Sequence, residues 1–540
     1  MKNSVSKERA RKIRSREKLA GRIALDRLPR LQKPAYGLAL ALALWIVTVL
    51  LLNIEQILGG AVAQVPALSI AGDAVFLLAG LFAVALALQM VVPAKMRNNA
   101  RVLLLVLIAI VATAAAKLTL YGTLTAFPVR AEILIFLVPF ALAPLMATIL
   151  LGGPTGALLG IWTSLVMAVM LDRSFAVLLT GIVASVVAAR IADGVRTRAK
   201  VIRAGVVVGL AQVTLVLAMT ALNWRTTDIM LVFDQAGACL LSGFLAALVV
   251  LLILPAFESM FQITTNLTLL ELTDLSHPLL QRLAMEAPGT YHHSLIVANL
   301  AQVAADDLGA NSLLARVCAY FHDIGKLTKP DFFAENLNRR GNPHDDLPPS
   351  MSTLVITAHV KEGLTLAMIH KLPTPVKAVI QEHHGTSLVS CFHHKAKSQQ
   401  ENEMAGGNER VDEGDFRYAG PRPSFRESAI ICLADSIEAA SRTIEKTTPG
   451  HIEQLVNNIV NQKLTDGQLD ACQLTLQELT RVKRSFVFSL TNMLHGRVPY
   501  PQDEDTQQSK PMANGRTEDK GAGRTPPGAG RSLGAGRPTA

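Results

Sequence analysis

Tyr320-Phe321-His322-Asp323-Ile324-Gly325-Lys326 is the stretch on which the reading of this chain turns. An adjacent histidine and aspartate offer a metal two ligands of different character. The imidazole suits transition metals, and the carboxylate can bridge two of them. Alone, the dipeptide is common. Its company is not. His292-His293-Ser294 lies upstream; His359, His383-His384-Gly385 and Asp435 (within Cys432-Leu433-Ala434-Asp435-Ser436) lie downstream. The order H, HD, H, HH, D across a region of helical periodicity reads as a dinuclear metal site.

Splitting a phosphodiester needs a strong nucleophile and relief of negative charge, and a metal pair provides both. The ligands expected for it are His293, His322, Asp323, His359, His383, His384 and Asp435. Asp323 is the natural bridge, because it sits beside His322 and can reach both ions. His293, His322, Asp323 and Asp435 are assigned to one metal. Asp323, His359, His383 and His384 are assigned to the other. Lys326, one turn past Asp323, is placed to aim a cation at a substrate phosphate. Asp323 and Lys326 are therefore the expected catalytic residues, with Lys326 also binding substrate; a solvated helix-end cation is the competing reading of Lys326. Asp435 lies in an apolar run, where an unpartnered carboxylate is costly; a metal is one partner, an arginine or a helix cap the other. His292 is read as a neighbour of the ligand His293, which shares the apolar face. His344 is read as a solvated turn residue, and His393-His394 as surface, since no carboxylate stands at useful spacing.

Around these residues the pattern is helical, with few strand signals. His293, Val297, Leu300, Ala301 and Ala304 share one face of a helix that ends near Gly309. Further helices are predicted over 312–327 with His322 and Asp323, 350–371 with His359, 373–384 ending in the paired histidines, and 424–445 with Asp435. Pro288-Gly289 reads as a turn before His293. Residues 396–414, rich in Gln, Asn, Glu and Gly, read as an exposed loop.

The other half of the chain is of a different kind. Half of all residues are hydrophobic and 17% are charged, and all 13 histidines fall between His277 and His495. That composition is too apolar for an ordinary soluble protein. Eight apolar runs, near 37–58, 74–93, 102–122, 131–151, 155–171, 176–193, 203–223 and 234–256, read as membrane-crossing helices. Lys95, Arg97 and Arg101 follow the second run, and Arg190 to Arg203 follow the sixth. With the N-terminus inside, both basic loops are cytoplasmic, and an even number of spans returns the chain to the cytoplasm after Pro255. Lys117 and Asp234, near span ends, are read as snorkelling. The five cysteines form no CxxC pair and suit a reducing compartment. The net charge of +10 gathers largely in the terminal segments. Beside a bilayer such segments fit topology and anionic lipid better than a nucleic-acid polymer, which is not expected as a partner. The expected organisation is a basic cytoplasmic arm (1–36), a transmembrane region (37–256), an amphipathic linker (257–289), a metal-site domain (290–500) and a disordered tail (501–540).

The motifs Pro288-Gly289-Thr290-Tyr291-His292-His293-Ser294-Leu295, Tyr320 to Lys326, Phe332-Phe333-Ala334-Glu335-Asn336, Asn342-Pro343-His344-Asp345, His383 to Val389 and Leu433-Ala434-Asp435-Ser436 together resemble the seven-transmembrane HD family of bacterial membrane proteins. Its PgpH-type members are cyclic di-AMP phosphodiesterases. The resemblance implies an all-α architecture, a polytopic membrane bundle followed by a cytoplasmic HD-superfamily phosphohydrolase domain. It also implies hydrolysis of cyclic di-AMP to pApA at two divalent ions, manganese or iron, on the inner side of the bacterial cell membrane, with a homodimer as a further expectation. Family members commonly carry a large extracytoplasmic domain between the first span and the next seven. Here only residues near 59–73 stand in that place, which removes the ground for a ligand-controlled receptor role. The alternatives are a phosphodiesterase for another cyclic nucleotide such as cyclic di-GMP, or a non-catalytic nucleotide-binding membrane receptor. The first would carry Gly-Tyr-Pro after its paired histidines, where this chain has Gly385-Thr386-Ser387. The second would have lost ligands.

Overall fold

The computed structural model describes residues 34–54, 67–126, 130–222, 228–337, 341–403, 411–443 and 448–495. The expected disordered tail and nearly all of the basic arm lie outside these. Among the described residues there are helices and turns, one isolated antiparallel bridge between Leu388 and Arg417, and no strand.

The first part is a multi-pass membrane bundle. Its helices are α1 (Pro34–Leu52), α2 (Ala67–Val91), α3 (Asn99–Ala126), α4 (Ala131–Leu137), α5 (Leu142–Leu151), α6 (Gly153–Met170), α7 (Phe175–Ala192), α8 (Arg198–Leu222) and α9 (Ile229–Phe261). With α4 and α5 counted as one crossing, eight segments are long and apolar enough to span a bilayer. Large apolar side chains such as Leu68, Phe82 and Leu252 point outward, as lipid demands. Two spans run further than their apolar patterns. α2 starts at Ala67 rather than near 74, because Asp73 is neutralised by Arg173, 2.8 Å away. α9 continues through Pro255 to Phe261.

The fourth span is broken. Pro139 has no amide hydrogen and pushes Val138 out of the helical region. The freed Val138 carbonyl accepts a 2.8 Å hydrogen bond from Ser242 Oγ on α9. Irregular backbone at membrane depth is tolerated where protein covers it, and Val138 and Phe140 are buried. Gly152, with φ of +91°, makes the turn from α5 to α6. Lys95 Nζ caps the Leu151 carbonyl there, and Asp193 Oδ1 accepts from the Gly153 amide at 3.3 Å, each charge matching its helix end.

Two short helices, α10 (Asn266–Glu271) and α11 (Pro278–Glu286), lead out of the bundle; Pro278 opens α11, where a missing amide hydrogen costs nothing. The second part comprises α12 (Pro288–Asp307), α13 (Ser312–Phe321), α14 (Pro349–Ile369), α15 (Thr374–Glu382), α16 (Ser390–Glu403), α17 (Arg426–Ser441), α18 (Pro449–Thr465) and α19 (Leu476–His495). Its core gathers Val297, Ala301, Phe321, Ile380, Ile431 and Phe486.

Three local expectations are corrected. Pro288-Gly289 is not a turn but the first turn of α12. The helix expected to 327 stops at Phe321 and tightens into a 3₁₀ turn over Ile324–Thr328. The cause is Gly325, whose Cα lies so close to α14 that a Cβ would collide with the His359 carbonyl. Residues 396–403 extend α16 instead of forming a loop, since Lys, Gln and Glu are good helix formers; residues 404–410 lie outside the described residues.

Candidate metal centre

Five helices deliver the seven expected side chains to one place. His293 comes from the second turn of α12, and His322-Asp323 from the end of α13. His359 comes from the middle of α14, His383-His384 from the end of α15, and Asp435 from α17. His293 Nε2 is 3.0 Å from Asp435 Oδ1, and His322 Nε2 is 3.3 Å from Asp323 Oδ2. On the other side, His359 Nε2 and His383 Nε2 are 3.4 and 3.7 Å from Asp323 Oδ1. His384 Nδ1 is 3.4 Å from Asp435 Oδ2. The donor atoms form two overlapping quartets, His293–His322–Asp323–Asp435 and Asp323–His359–His383–His384, with the atoms of each within 4.8 Å of one another. Asp323 belongs to both.

The hydrogen bonds say what these imidazoles are set up to do. His322 Nδ1 donates to the Ala319 carbonyl at 2.7 Å, His359 Nδ1 to Ile356 at 2.6 Å, and His383 Nδ1 to Ile380 at 3.0 Å. His293 Nδ1 is held by Glu438. With Nδ1 committed outward, His359 and His383 present Nε2 lone pairs inward, while His293 and His322 aim Nε2 at the neighbouring carboxylates. The Nε2 atoms of His359 and His383 face one another at 3.3 Å, two acceptors with no proton between them in that tautomer. His322 Nε2 and both oxygens of Asp323 are buried without a hydrogen-bond partner. Lys326 Nζ stands 2.7 Å from Asp323 Oδ2 and balances part of its charge, leaving Oδ1 and the facing imidazole nitrogens unmatched. Buried lone pairs left unspent are expensive, and a set of imidazole nitrogens and carboxylate oxygens converging on one volume fits a divalent transition metal.

The electrostatics divide the two quartets. Burial pushes His293 and His322 down, but the carboxylates beside them outweigh it and leave both above the ordinary histidine range. Burial holds His359, His383 and His384 below it, reinforced at His383 and His384 by neighbouring imidazoles. For Asp323 and Asp435 burial alone would raise the carboxyl. Lys326 and His322 overcome it at Asp323, and His293 and His322 at Asp435, so both stay ionised well below the usual range.

Lys326 is neither solvated nor free: it is buried between Asp323 and Glu335, 2.7 Å from each. His292 is exposed while His293 is buried. His344, expected as a solvated turn residue, is buried, with Nε2 on the Phe332 carbonyl at 2.9 Å and its ring against Phe392. His394 is exposed and His393 half-buried against Phe416.

Four residues near the centre carried no role in the sequence reading. Glu438 orients His293 and is itself held by Arg442 at 2.8 Å. Their spacings from Asp435, three and seven residues along one helix face, were a usable signal. Glu335 anchors Lys326 and accepts from Thr290 Oγ1 at 2.9 Å, tying the start of α12 to the centre. Tyr418 packs on the His384 ring with centroids 4.3 Å apart; it arrives from a distant loop and left no pattern. Tyr418, Arg442, Lys326 and Phe333 line a cavity of about 160 Å³ that opens onto the donor atoms.

Known proteins match both halves. The family described as 7TM receptor with intracellular HD hydrolase matches residues 67–265, and the HD domain matches residues 290–440. The chain joins a 7TM segment of that family to an HD domain and is homologous to the PgpH cyclic-di-AMP phosphodiesterases. PgpH of Bacillus subtilis is 37% identical over 305 residues, covering 56% of this chain and 42% of its own length. PgpH of Listeria monocytogenes is 38% identical over 308 residues, covering 57% and 42%. The chain thus spans about two fifths of the length of these curated relatives. The crystal structure of the L. monocytogenes PgpH HD domain in complex with cyclic-di-AMP is 40% identical, covering 40% of this chain and 98% of that one, with a TM-score of 0.38.

Proposed function

We propose that this chain is a membrane-anchored phosphodiesterase that hydrolyses cyclic di-AMP to pApA on the cytoplasmic side of a bacterial cell membrane, using two divalent ions, manganese or iron. The observation that carries the reading is the convergence of imidazole nitrogens and carboxylate oxygens in two quartets that share Asp323. The substrate comes from the homologous PgpH enzymes. The inner-side placement rests on the basic loops after the second and sixth spans.

A bound metal pair supplies an acidified water and relief of charge on the phosphoryl group. The chain's own residues do the rest. Asp323 and Asp435 remain ionised, so they add negative charge that holds cations. Lys326, fixed by Glu335, keeps Asp323 oriented and presents an ammonium at the edge of the cavity. Arg442, held on Glu438 through Nε and Nη2, lines the same cavity with its guanidinium for a second phosphate, and Tyr418 offers a flat face beside His384 for a base. The test is a product assay of the full chain in detergent with manganese or iron, fed cyclic di-AMP or cyclic di-GMP. Conversion of cyclic di-AMP to pApA, lost in Asp323→Asn, is the expected result. Preference for cyclic di-GMP, or activity unchanged in Asp323→Asn, would overturn it.

A further inference from the structure

A second cavity lies in the membrane bundle, at the end away from the HD domain. α2 begins, α6 ends and α7 begins on the face where α9 also begins, whereas the HD domain follows the opposite end of α9. Between the first turns of α2 and the α6–α7 connection is a space of about 370 Å³, within the range of small-molecule pockets. Its body is apolar, walled by Phe76, Leu165, Val169 and Leu178. Its other end is polar. Arg173 Nε and Nη2 lie 2.8 and 2.9 Å from the two oxygens of Asp73, and Nη2 is 2.7 Å from Ser69 Oγ.

The construction exceeds what a staple between helices needs. Asp172 and Arg173 are successive non-glycine residues in the left-handed region, with φ of 55° and 58°, a costly arrangement. Asp73 uses both oxygens on Arg173, and no other carboxylate among the described residues lines the cavity. The guanidinium keeps Nη1 without a partner among the described residues, and the side chain is 58% exposed. A tethered cation with one donor edge open beside an apolar chamber, in a membrane helix bundle, selects a guest with a matching acid and a matching hydrocarbon.

We propose that this cavity binds an acidic amphiphile, its carboxylate or phosphate on Arg173 and its hydrocarbon against Phe76, Leu165 and Val169. The site stands independently of the metal centre and of the reaction assigned to it. The experiment uses the full chain in phosphatidylcholine nanodiscs with radiolabelled oleate as probe and oleyl alcohol as its neutral match. Oleate should bind saturably and oleyl alcohol at least about tenfold more weakly, the scale of a charge-assisted contact. Arg173→Gln should abolish that preference. Asp73→Asn, which releases Arg173 from its internal partner, should tighten oleate binding. Val169→Trp, which fills the chamber and leaves the ion pair intact, should abolish binding, so the proposal stays testable if Arg173→Gln fails to fold. Competition by phosphatidylglycerol in the discs would assign the site to a lipid headgroup; its absence would assign it to a free acid. Equal binding of oleate and oleyl alcohol, or loss of binding in Asp73→Asn equal to that in Arg173→Gln, would overturn the proposal and leave the pair as a staple.

Discussion

The membrane bundle and the HD domain are both helical, and they bury polarity in opposite ways. In the bundle the buried polar side chains among the described residues are all neutral, and several are hydroxyls returned to their own helix. Ser164 Oγ donates to Gly160 at 2.6 Å, Ser185 Oγ to Gly181 at 2.7 Å and Thr113 Oγ1 to Ala109 at 2.9 Å. In the HD domain, Asp323, Asp435, Lys326 and four imidazoles are buried together with several lone pairs unspent. A hydroxyl satisfied within its own turn costs little. A cluster of buried charge is tolerated only when its members balance one another or meet an ion. The difference teaches where chemistry resides: the bundle removes polarity from lipid, and the HD domain concentrates it.

The largest expected effect comes from removing the atom group common to both quartets. Asp323→Asn should deplete metal from both positions and lower turnover by more than the roughly 10–100-fold that outer hydrogen-bond partners of metal ligands cost. Metal analysis and a product assay on the same sample measure it. Metal retained at full occupancy would break the contrast, because the concentrated charge would then have another purpose. Glu438→Gln is the milder test. It keeps the size and one acceptor but weakens the hold on His293 Nδ1, so metal affinity should fall about 10–100-fold with the helical content unchanged. Affinity equal to the parent's would make Glu438 a partner of Arg442 alone.

The quartets should also separate by pH. His359, His383 and His384 are held below the ordinary range, so at neutrality they are already neutral and ready to bind. His322 is pushed up to about 10, so without metal it carries a proton that an ion must displace, and His293 keeps its proton to higher pH than an ordinary histidine. Raising pH therefore strengthens binding at the His293–His322 quartet, by about tenfold per unit for each proton released, and leaves the other nearly level. Calorimetric titration with manganese at several pH values, in buffers of different ionisation enthalpy, should show a first event with little proton release and a second with more. Two events of identical pH dependence would contradict the asymmetry.

Much of this is legible in the amino-acid sequence alone. Runs of apolar residues report membrane crossings directly, because lipid imposes length and composition at once, and each of the eight runs overlaps one of the eight described segments long and apolar enough to cross. The seven metal-site candidates were readable because histidine is confined to one half of the chain and its pairs fall at helix ends. What failed to show depended on contacts between distant segments. The helix with His322 stops early because of α14, through Gly325 and the His359 carbonyl. Lys326 is buried because Glu335 reaches it. Asp73 belongs to α2 because Arg173, a hundred residues away, neutralises it. Tyr418 has no periodic neighbour to betray it.

The smallest expected effect tests the bundle's half of the contrast. Ser242 Oγ supplies the hydrogen bond to the Val138 carbonyl at the break before Pro139. No water is at hand to replace it. Hydrogen bonds between membrane helices are nonetheless worth only roughly 0.6–1.7 kcal/mol, because the unfolded segments find partners in the bilayer too. Ser242→Ala should therefore lower the thermal unfolding midpoint in detergent slightly. Metal content and turnover should be unchanged, since His293, Asp323 and Asp435 are set by α12, α13 and α17, beyond the end of α9. A shift in metal affinity on this substitution would mean that the break in the fourth span is felt at the HD centre. The two treatments of polarity would then belong to one coupled device rather than to an anchor and a site.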